Sequence, residues 1–261
     1  MTMLSNRVVK CALCGKESTH PYLASSSQLG CELDGRPTGM YRHTMECWAQ
    51  ICSNPKCGYA SGNIAKESAN ARECVKSADY ISHLKSPGMR ETVRKFYLSA
   101  LVALWAKNPS EAFEYFVYAA WACDDAGLAQ DARAYRMLAV NLFSGEVNVT
   151  LVDLMRRAGS FNQAQTTIER VLASTELDDW GKKLLEFERK LIDAKDSGAH
   201  STAELGPVSV PSAEDLGTIV QIPGKSDSKN FEVAESGLGG EFKALPDDLQ
   251  EALESDPELP R

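Results

Sequence analysis

No stretch of about 18 consecutive apolar residues occurs in this chain, so no membrane-spanning helix is expected. The opening residues Met1 to Arg7 carry no apolar block of the signal-peptide kind, and a cytoplasmic chain with reduced thiols is the expectation. A glycine-rich phosphate loop, a nucleophile elbow and an HExxH motif are missing too, which favours a non-enzymatic role. Excess charge of one sign is scarce in the part that reads as folded. The net charge is -8, but residues 196–261 hold 14 acidic and 4 basic residues, and the 24 basic and 22 acidic residues before them leave +2. A near-neutral body lacks the broad basic footprint of a nucleic-acid binder, a local patch aside.

What is present falls into three regions. Residues 1–62 hold most of the 8 cysteines and read as a small zinc-ribbon-like β head. Residues 63–195 are rich in Ala, Leu, Glu, Arg and Lys, with apolar residues three and four apart, which predicts about seven helical segments. Residues 196–261 are rich in Ser, Gly, Pro, Asp and Glu. They bury too little apolar surface to offset chain entropy, so a disordered acidic tail is expected. Within that tail, Pro246 followed by Leu249 and Leu253, with Leu245 before it, predicts a short amphipathic helix that orders on docking. The fold class is therefore mainly α.

Punctuation divides the helical region. Ser86-Pro87-Gly88 and Asn108-Pro109-Ser110 are breaks, while Gly127, Ser144-Gly145 and Gly159 read as helix ends. Ser174-Thr175 reads as a loop and Asp178 as part of a cap, before a last helix from Trp180 to Asp193. Gly127, Ala132 and Ala139 recur as Gly159, Ala164 and Val171, 32 residues later. That interval is close to the tetratricopeptide period and predicts a TPR-like stack of helix pairs.

Cysteine spacing carries the chemistry. Cys11-Ala12-Leu13-Cys14-Gly15 is a tight knuckle, whose two-residue gap turns both thiolates toward one ion. Cys52-Ser53-Asn54-Pro55-Lys56-Cys57-Gly58 is a wider knuckle with the same Cys-Gly ending. Four thiolates complete a tetrahedral zinc site, so Cys11, Cys14, Cys52 and Cys57 are the candidate ligands of one structural zinc ion. Free or redox-active thiols are the plainer reading, and a thioredoxin-type site lacks its βαβ context. If Met45 to Ile51 forms a strand, Cys47 faces away from Cys52 and belongs to the core. Cys31 lies in a loop without partner spacing, and Cys74 and Cys123 read as buried helical thiols. His20 and His43 are alternative ligands.

Between the knuckles runs a polar loop with Leu33-Asp34-Gly35-Arg36-Pro37 and Arg42-His43-Thr44. It reads as a turn cornered at Asp34-Gly35 with arginines bonding nearby carbonyls, or as a small anion or peptide site. Further on, Asp124 and Asp125 occupy the last turn before Gly127, where the helix dipole disfavours negative charge. Compensation is expected from arginines such as Arg94, Arg133 or Arg136.

These residues carry a family resemblance. Cys11-x-x-Cys14-Gly15, the Leu33-to-Pro37 stretch with Arg42 and Thr44-Met45, Cys57-Gly58-Tyr59-Ala60 and Ala120-Trp121 through Gly127 resemble an uncharacterised prokaryotic family. It joins a zinc-ribbon-like head to a tetratricopeptide-like body, and the likeness covers roughly residues 8–195. The family's second knuckle usually has a two-residue gap, whereas Cys52 and Cys57 enclose four residues. The resemblance implies a fold and a metal; it supplies no activity. The resulting expectation is a non-enzymatic zinc-binding scaffold or adaptor for a protein or peptide partner, with no membrane partner. The alternative is a zinc-ribbon regulator that binds nucleic acid.

Overall fold

Short-range turn chemistry builds the head. The computed structural model describes residues 2–27, 30–144, 148–174 and 177–206. Strands β1 (Met3–Lys10) and β2 (Glu17–Ser25) pair antiparallel, with Lys10 opposite Glu17 and Leu4 opposite Leu23. A second, two-residue ladder joins β3 (Gln50–Ile51) to β4 (Ala60–Ser61). Each knuckle is therefore the turn of one hairpin.

The segment Gly39–Cys47 is a 3-10 helix, so the strand expected over Met45 to Ile51 is confined to its last two residues. Local hydrogen bonding outweighs the alternating apolar pattern. Thr44 Oγ1 donates to the Tyr41 carbonyl at 2.8 Å and accepts from Trp48 Nε1 at 3.0 Å. Cys47 is half-buried, while Cys74 and Cys123 are wholly buried.

Eight α-helices follow among the described residues: α1 (Ala71–Cys74), α2 (Ala78–Leu84), α3 (Glu91–Trp105), α4 (Pro109–Asp125), α5 (Ala129–Leu142), α6 (Val149–Arg157), α7 (Phe161–Ser174) and α8 (Asp179–Asp193). The described chain is mainly helical, and none of its helices is long and apolar enough to cross a membrane. The breaks at Ser86-Pro87-Gly88 and Asn108-Pro109-Ser110 separate helices, whereas the ends expected at Ser144-Gly145 and Ser174-Thr175 lie partly outside the described residues. Pro109 opens α4 behind an Asn108 cap, and Asp178 caps α8 by accepting from Gly181 N at 2.7 Å. Helices α3, α4, α6 and α8 end alike, with Lys107, Gly127, Gly159 and Lys195 at positive φ. Each has a backbone N–H returning five residues: Asn108 to Ala103, Leu128 to Cys123, Ser160 to Met155 and Asp196 to Leu191. Ala132, Ala139, Ala164 and Val171 are buried, so the small and medium residues of the 32-residue pattern lie inside the packing.

One hydrophobic cluster runs from Val9 and Cys11 of the head through Tyr59, Ile64 and Tyr80 to Phe96, Trp121 and Leu154. Tyr80 on α2 fastens the second hairpin, donating to the Gly58 carbonyl at 2.8 Å and accepting from Ala60 N at 3.1 Å. A second cluster, with Val152, Ala164, Ile168, Leu185 and Ile192, joins α6, α7 and α8.

Residues 196–206, assigned to the tail by composition, run back across the head. Leu33 N donates to the His200 carbonyl at 3.0 Å, Ser201 bridges Glu32, and Thr202–Leu205 forms a 3-10 turn with a Ser201/Glu204 capping box. Residues 207–261, including the leucine-patterned segment around Leu249, lie outside the described residues.

The α6–α8 contact encloses two acids and one arginine. Arg156 donates to Asp153, to Glu188 Oε2 at 2.8 Å, and to the carbonyls of Asp196 at 2.6 Å and Gly198 at 3.0 Å. The second oxygens, Asp153 Oδ2 and Glu188 Oε1, are buried with no hydrogen-bond partner among the described residues, so one arginine faces two acids. Burial, then the Asp153 charge, pushes Glu188 up to about 9 from its ordinary 4.5. Between those values the unfolded chain binds fewer protons than the folded one, so this group's contribution falls as pH rises. The neutral variant Glu188→Gln is expected to remove that loss. Thermal melts across this range should show the wild type losing midpoint relative to the variant; parallel pH profiles would contradict the raised Glu188 carboxyl.

Candidate metal centre

The two knuckles bring their cysteines together through matching backbone geometry. Cys11 N donates to the Lys16 carbonyl at 2.9 Å, and Cys52 N to the Tyr59 carbonyl at 2.8 Å, closing the two turns. Gly15 and Gly58 follow at φ 73 and 56, the left-handed region that a tight return requires. At Gly58 a side chain would also collide with Leu84. The extra residues of the second knuckle are absorbed by Asn54. Its carbonyl accepts from Cys57 N and Gly58 N, both at 2.9 Å, and its side-chain oxygen accepts from Lys56 N at 3.0 Å. That added turn brings the Cys57 sulfur to 3.9 Å from that of Cys11.

The sulfurs of Cys11, Cys14, Cys52 and Cys57 all lie within 4.8 Å of one another. Cys11 and Cys57 are 3.9 Å apart, and Cys14 and Cys52 are 3.5 Å apart. A disulfide needs about 2.05 Å. Zinc–sulfur bonds of about 2.3 Å give a tetrahedral sulfur–sulfur edge of about 3.8 Å, which these separations bracket. Cys11, Cys52 and Cys57 are buried and Cys14 is exposed.

Backbone N–H groups point at the sulfurs: those of Lys16, Asn54 and Tyr59 bond to Cys14, Cys52 and Cys57 respectively. Such bonds favour thiolate over thiol. Burial raises the Cys14 thiol, but hydrogen bonds from Lys16, Asn54 and the neighbouring cysteines bring it down to about 7. Burial pushes Cys52 up to about 11 and raises Cys57 further. The Cys14 thiolate forms readily, then, and Cys52 and Cys57 need a cation to compensate theirs. The four side chains fit a single tetrahedral metal ion. His20, on β2, and His43, in the 3-10 helix, are not part of this cluster.

The loop between the knuckles is committed to another task. Arg36 pairs with Asp125 on α4, and Arg42 bridges Glu32 at 2.8 Å and Asp125 at 2.9 Å. Asp34 is buried and accepts from Arg36 N at 3.2 Å, from Trp121 Nε1 at 2.7 Å and from Arg157. Asp124 accepts from Arg136 at 2.5 Å and Arg157 at 2.7 Å. Burial alone would raise Asp34, but the Arg157 and Arg136 guanidiniums hold it below the usual carboxylate range.

Glu32, Asp34, Asp124 and Asp125 thus meet Arg36, Arg42, Arg136 and Arg157, charge for charge. Both arginines of the loop are bound to carboxylates rather than left to receive an anion. The compensation expected for Asp124 comes from Arg136, and Asp125 is served by the head. Arg94 instead bonds the Ser86 and Met89 carbonyls, and Arg133 is exposed. Sequence reasoning missed Glu32, Trp121 and Arg157 as members of this lock. The available signal was the pair of acidic residues at a helix C-terminus, which announces a need for cations without naming them.

Compared with protein-family models, with curated proteins and with solved structures, the chain finds no match in any of the three.

Proposed function

We propose that the chain is a zinc-organised protein-interaction scaffold, a zinc-ribbon-like head carried on a TPR-like body, with no catalytic role at the metal. The observation that carries this reading is the closed four-sulfur cluster of Cys11, Cys14, Cys52 and Cys57. Four cysteine ligands complete tetrahedral zinc and leave no position for water or substrate. An all-thiolate donor set favours zinc over hard cations such as magnesium and calcium. The repeated helix endings and the buried Ala132, Ala139, Ala164 and Val171 support a repeat-type body. Stacked helix pairs of that kind present an extended surface to a protein or peptide. Arg36 and Arg42 are spent on the internal lock, so such a partner binds through other residues.

The test is affinity capture with zinc-loaded, full-length protein. A defined protein partner retained at high salt and after nuclease treatment, and lost with Cys57→Ser, is the expected result. Retention of nucleic acid that modest salt releases would overturn it in favour of a nucleic-acid-binding regulator.

A further inference from the structure

Between the first hairpin and α3 lies a cleft of about 690 Å³, separate from the four-sulfur centre. Its walls come from β2 (Glu17, Ser18, Thr19, His20, Pro21), from Ile51 and the second-knuckle Ser53, and from Glu91 and Lys95 on α3. The strand register explains the inward set. Ser18 and His20 are two residues apart, so both side chains leave β2 on the face that carries the buried Val9 of β1.

One cleft group, His20, is left without a partner, and a second, Lys95, is only loosely paired. His20 is only 7% exposed, yet neither ring nitrogen has a hydrogen-bond partner among the described residues, and Nε2 is fully buried. A neutral imidazole always carries one N–H, and leaving a buried donor unmade costs about 1–3 kcal/mol. Lys95 is similar. Its side chain is 12% exposed, and its nearest carboxylate is Glu91 at 3.8 Å, a residue that is itself 77% exposed. Burial, then the Lys95 charge, pulls His20 below its ordinary value, which places the two groups within electrostatic reach of each other. His20 and Lys95 line the same cleft, and a neutral imidazole N–H and an ammonium are donors that one anion can satisfy together. Ser18 and Ser53 add hydroxyl donors at the same wall, and Lys16 a further cation.

We propose that this cleft binds a phosphomonoester, with its phosphoryl oxygens received by the His20 imidazole, the Lys95 ammonium and the Ser18 hydroxyl. A phosphoryl group offers enough acceptors for all three donors at once, more than a carboxylate does. The cleft's volume falls in the range of small-molecule sites and exceeds what one phosphate fills, so the rest of the ligand lies along the β2 wall. Glu17 and Glu91 stand in the same cleft and oppose the anion. Neutralising either one therefore strengthens binding, a sign that a merely structural cleft does not predict. The inference does not rest on the identity of the metal or on the scaffold reading.

The experiment titrates the full-length protein, in its purified metal state, with inorganic phosphate and in parallel with a phosphoserine peptide. The readouts are calorimetry and the imidazole proton resonances of His20. Saturable binding with a shift at His20 is expected, weakened at least tenfold by Lys95→Met and by His20→Phe, and strengthened by Glu17→Gln. Tighter binding of the peptide assigns the site to a phosphorylated protein partner, and equal affinity to a free phosphorylated metabolite. Metal content and melting midpoint of each variant separate lost binding from lost folding; Glu17→Gln, at an exposed position, serves if His20→Phe does not fold. No saturable shift at His20 with either probe, or binding unchanged by Lys95→Met, would overturn the proposal.

Discussion

Replacing Asp34 by alanine is expected to cost about 3–5 kcal/mol of folding stability, seen as a lower urea midpoint. The carboxylate is buried and accepts from a main-chain N–H, an indole N–H and the Arg157 guanidinium. Removing it leaves Arg157 and Arg136 buried beside one fewer charge, and the indole of Trp121 without its acceptor. A buried pair broken from one side costs its full desolvation penalty, whatever the intact pair contributes. Arg42 provides the contrast. It lies at the rim, about a third exposed, and bonds the more exposed Asp125 and the buried Glu32, which keeps Arg157 as a second partner. Arg42→Ala should cost less than about 1 kcal/mol. Equal losses from Asp34→Ala and Arg42→Ala would show that the head is not held to the helices by this network. The pH dependence has a definite sign. Asp34 is held low by its arginines, so its contribution is present above the ordinary carboxylate range and is lost as pH falls through the depressed value.

Stripping the metal is expected to have the larger effect still. Zinc binding to structural four-ligand sites is worth about 10–16 kcal/mol in isolated fingers, and that binding energy is folding energy. Here Cys11, Cys52 and Cys57 share one hydrophobic cluster with Tyr80, Phe96 and Trp121. Loss of the metal should therefore unfold the two knuckles and lower the melting midpoint of the helical part as well. Cys57→Ser is expected to abolish stoichiometric metal, because it removes a buried ligand. Cys47→Ser should retain the metal, since Cys47 ends the 3-10 helix and stands outside the four-sulfur cluster. A chelated protein with an unchanged, cooperative melt would sink this expectation.

What could be read from the residues was whatever is decided locally. The Cys-Gly endings dictate tight left-handed returns, so spacing alone is enough to group the four sulfurs. Helix ends were legible at Gly127, Gly159 and Pro109 because glycine and proline restrict the backbone whatever surrounds them. Lys107 and Lys195 form the same ending with no such marker, and nothing in their side chains announces it. The 3-10 helix over Gly39–Cys47 was hidden for a different reason. Met45, Ala49 and Ile51 alternate as a strand would, and the Tyr41–Thr44–Trp48 hydrogen bonds that win are invisible to periodicity.

The lock was the least legible part of the molecule. Asp34 meets Trp121 at a separation of 87 residues and Arg157 at 123, and no local rule selects those arginines over Arg94 or Arg133. The loop from Leu33 to Pro37 looked available for an outside anion only because its internal partners lay so far along the chain. Residues 196–206 illustrate the same limit. Their composition is that of a solvated tail, yet main-chain bonds to Cys31 and Leu33 draw them onto the head.

A closed structural site needs the four sulfurs to act together on one zinc ion. X-ray absorption at the zinc edge, on full-length protein purified without added metal, measures this directly. One zinc per chain surrounded by four sulfurs at about 2.3 Å is the predicted result. Zinc held by three or fewer sulfurs with a nitrogen or oxygen neighbour, or protein carrying no stoichiometric metal, would contradict a closed structural site.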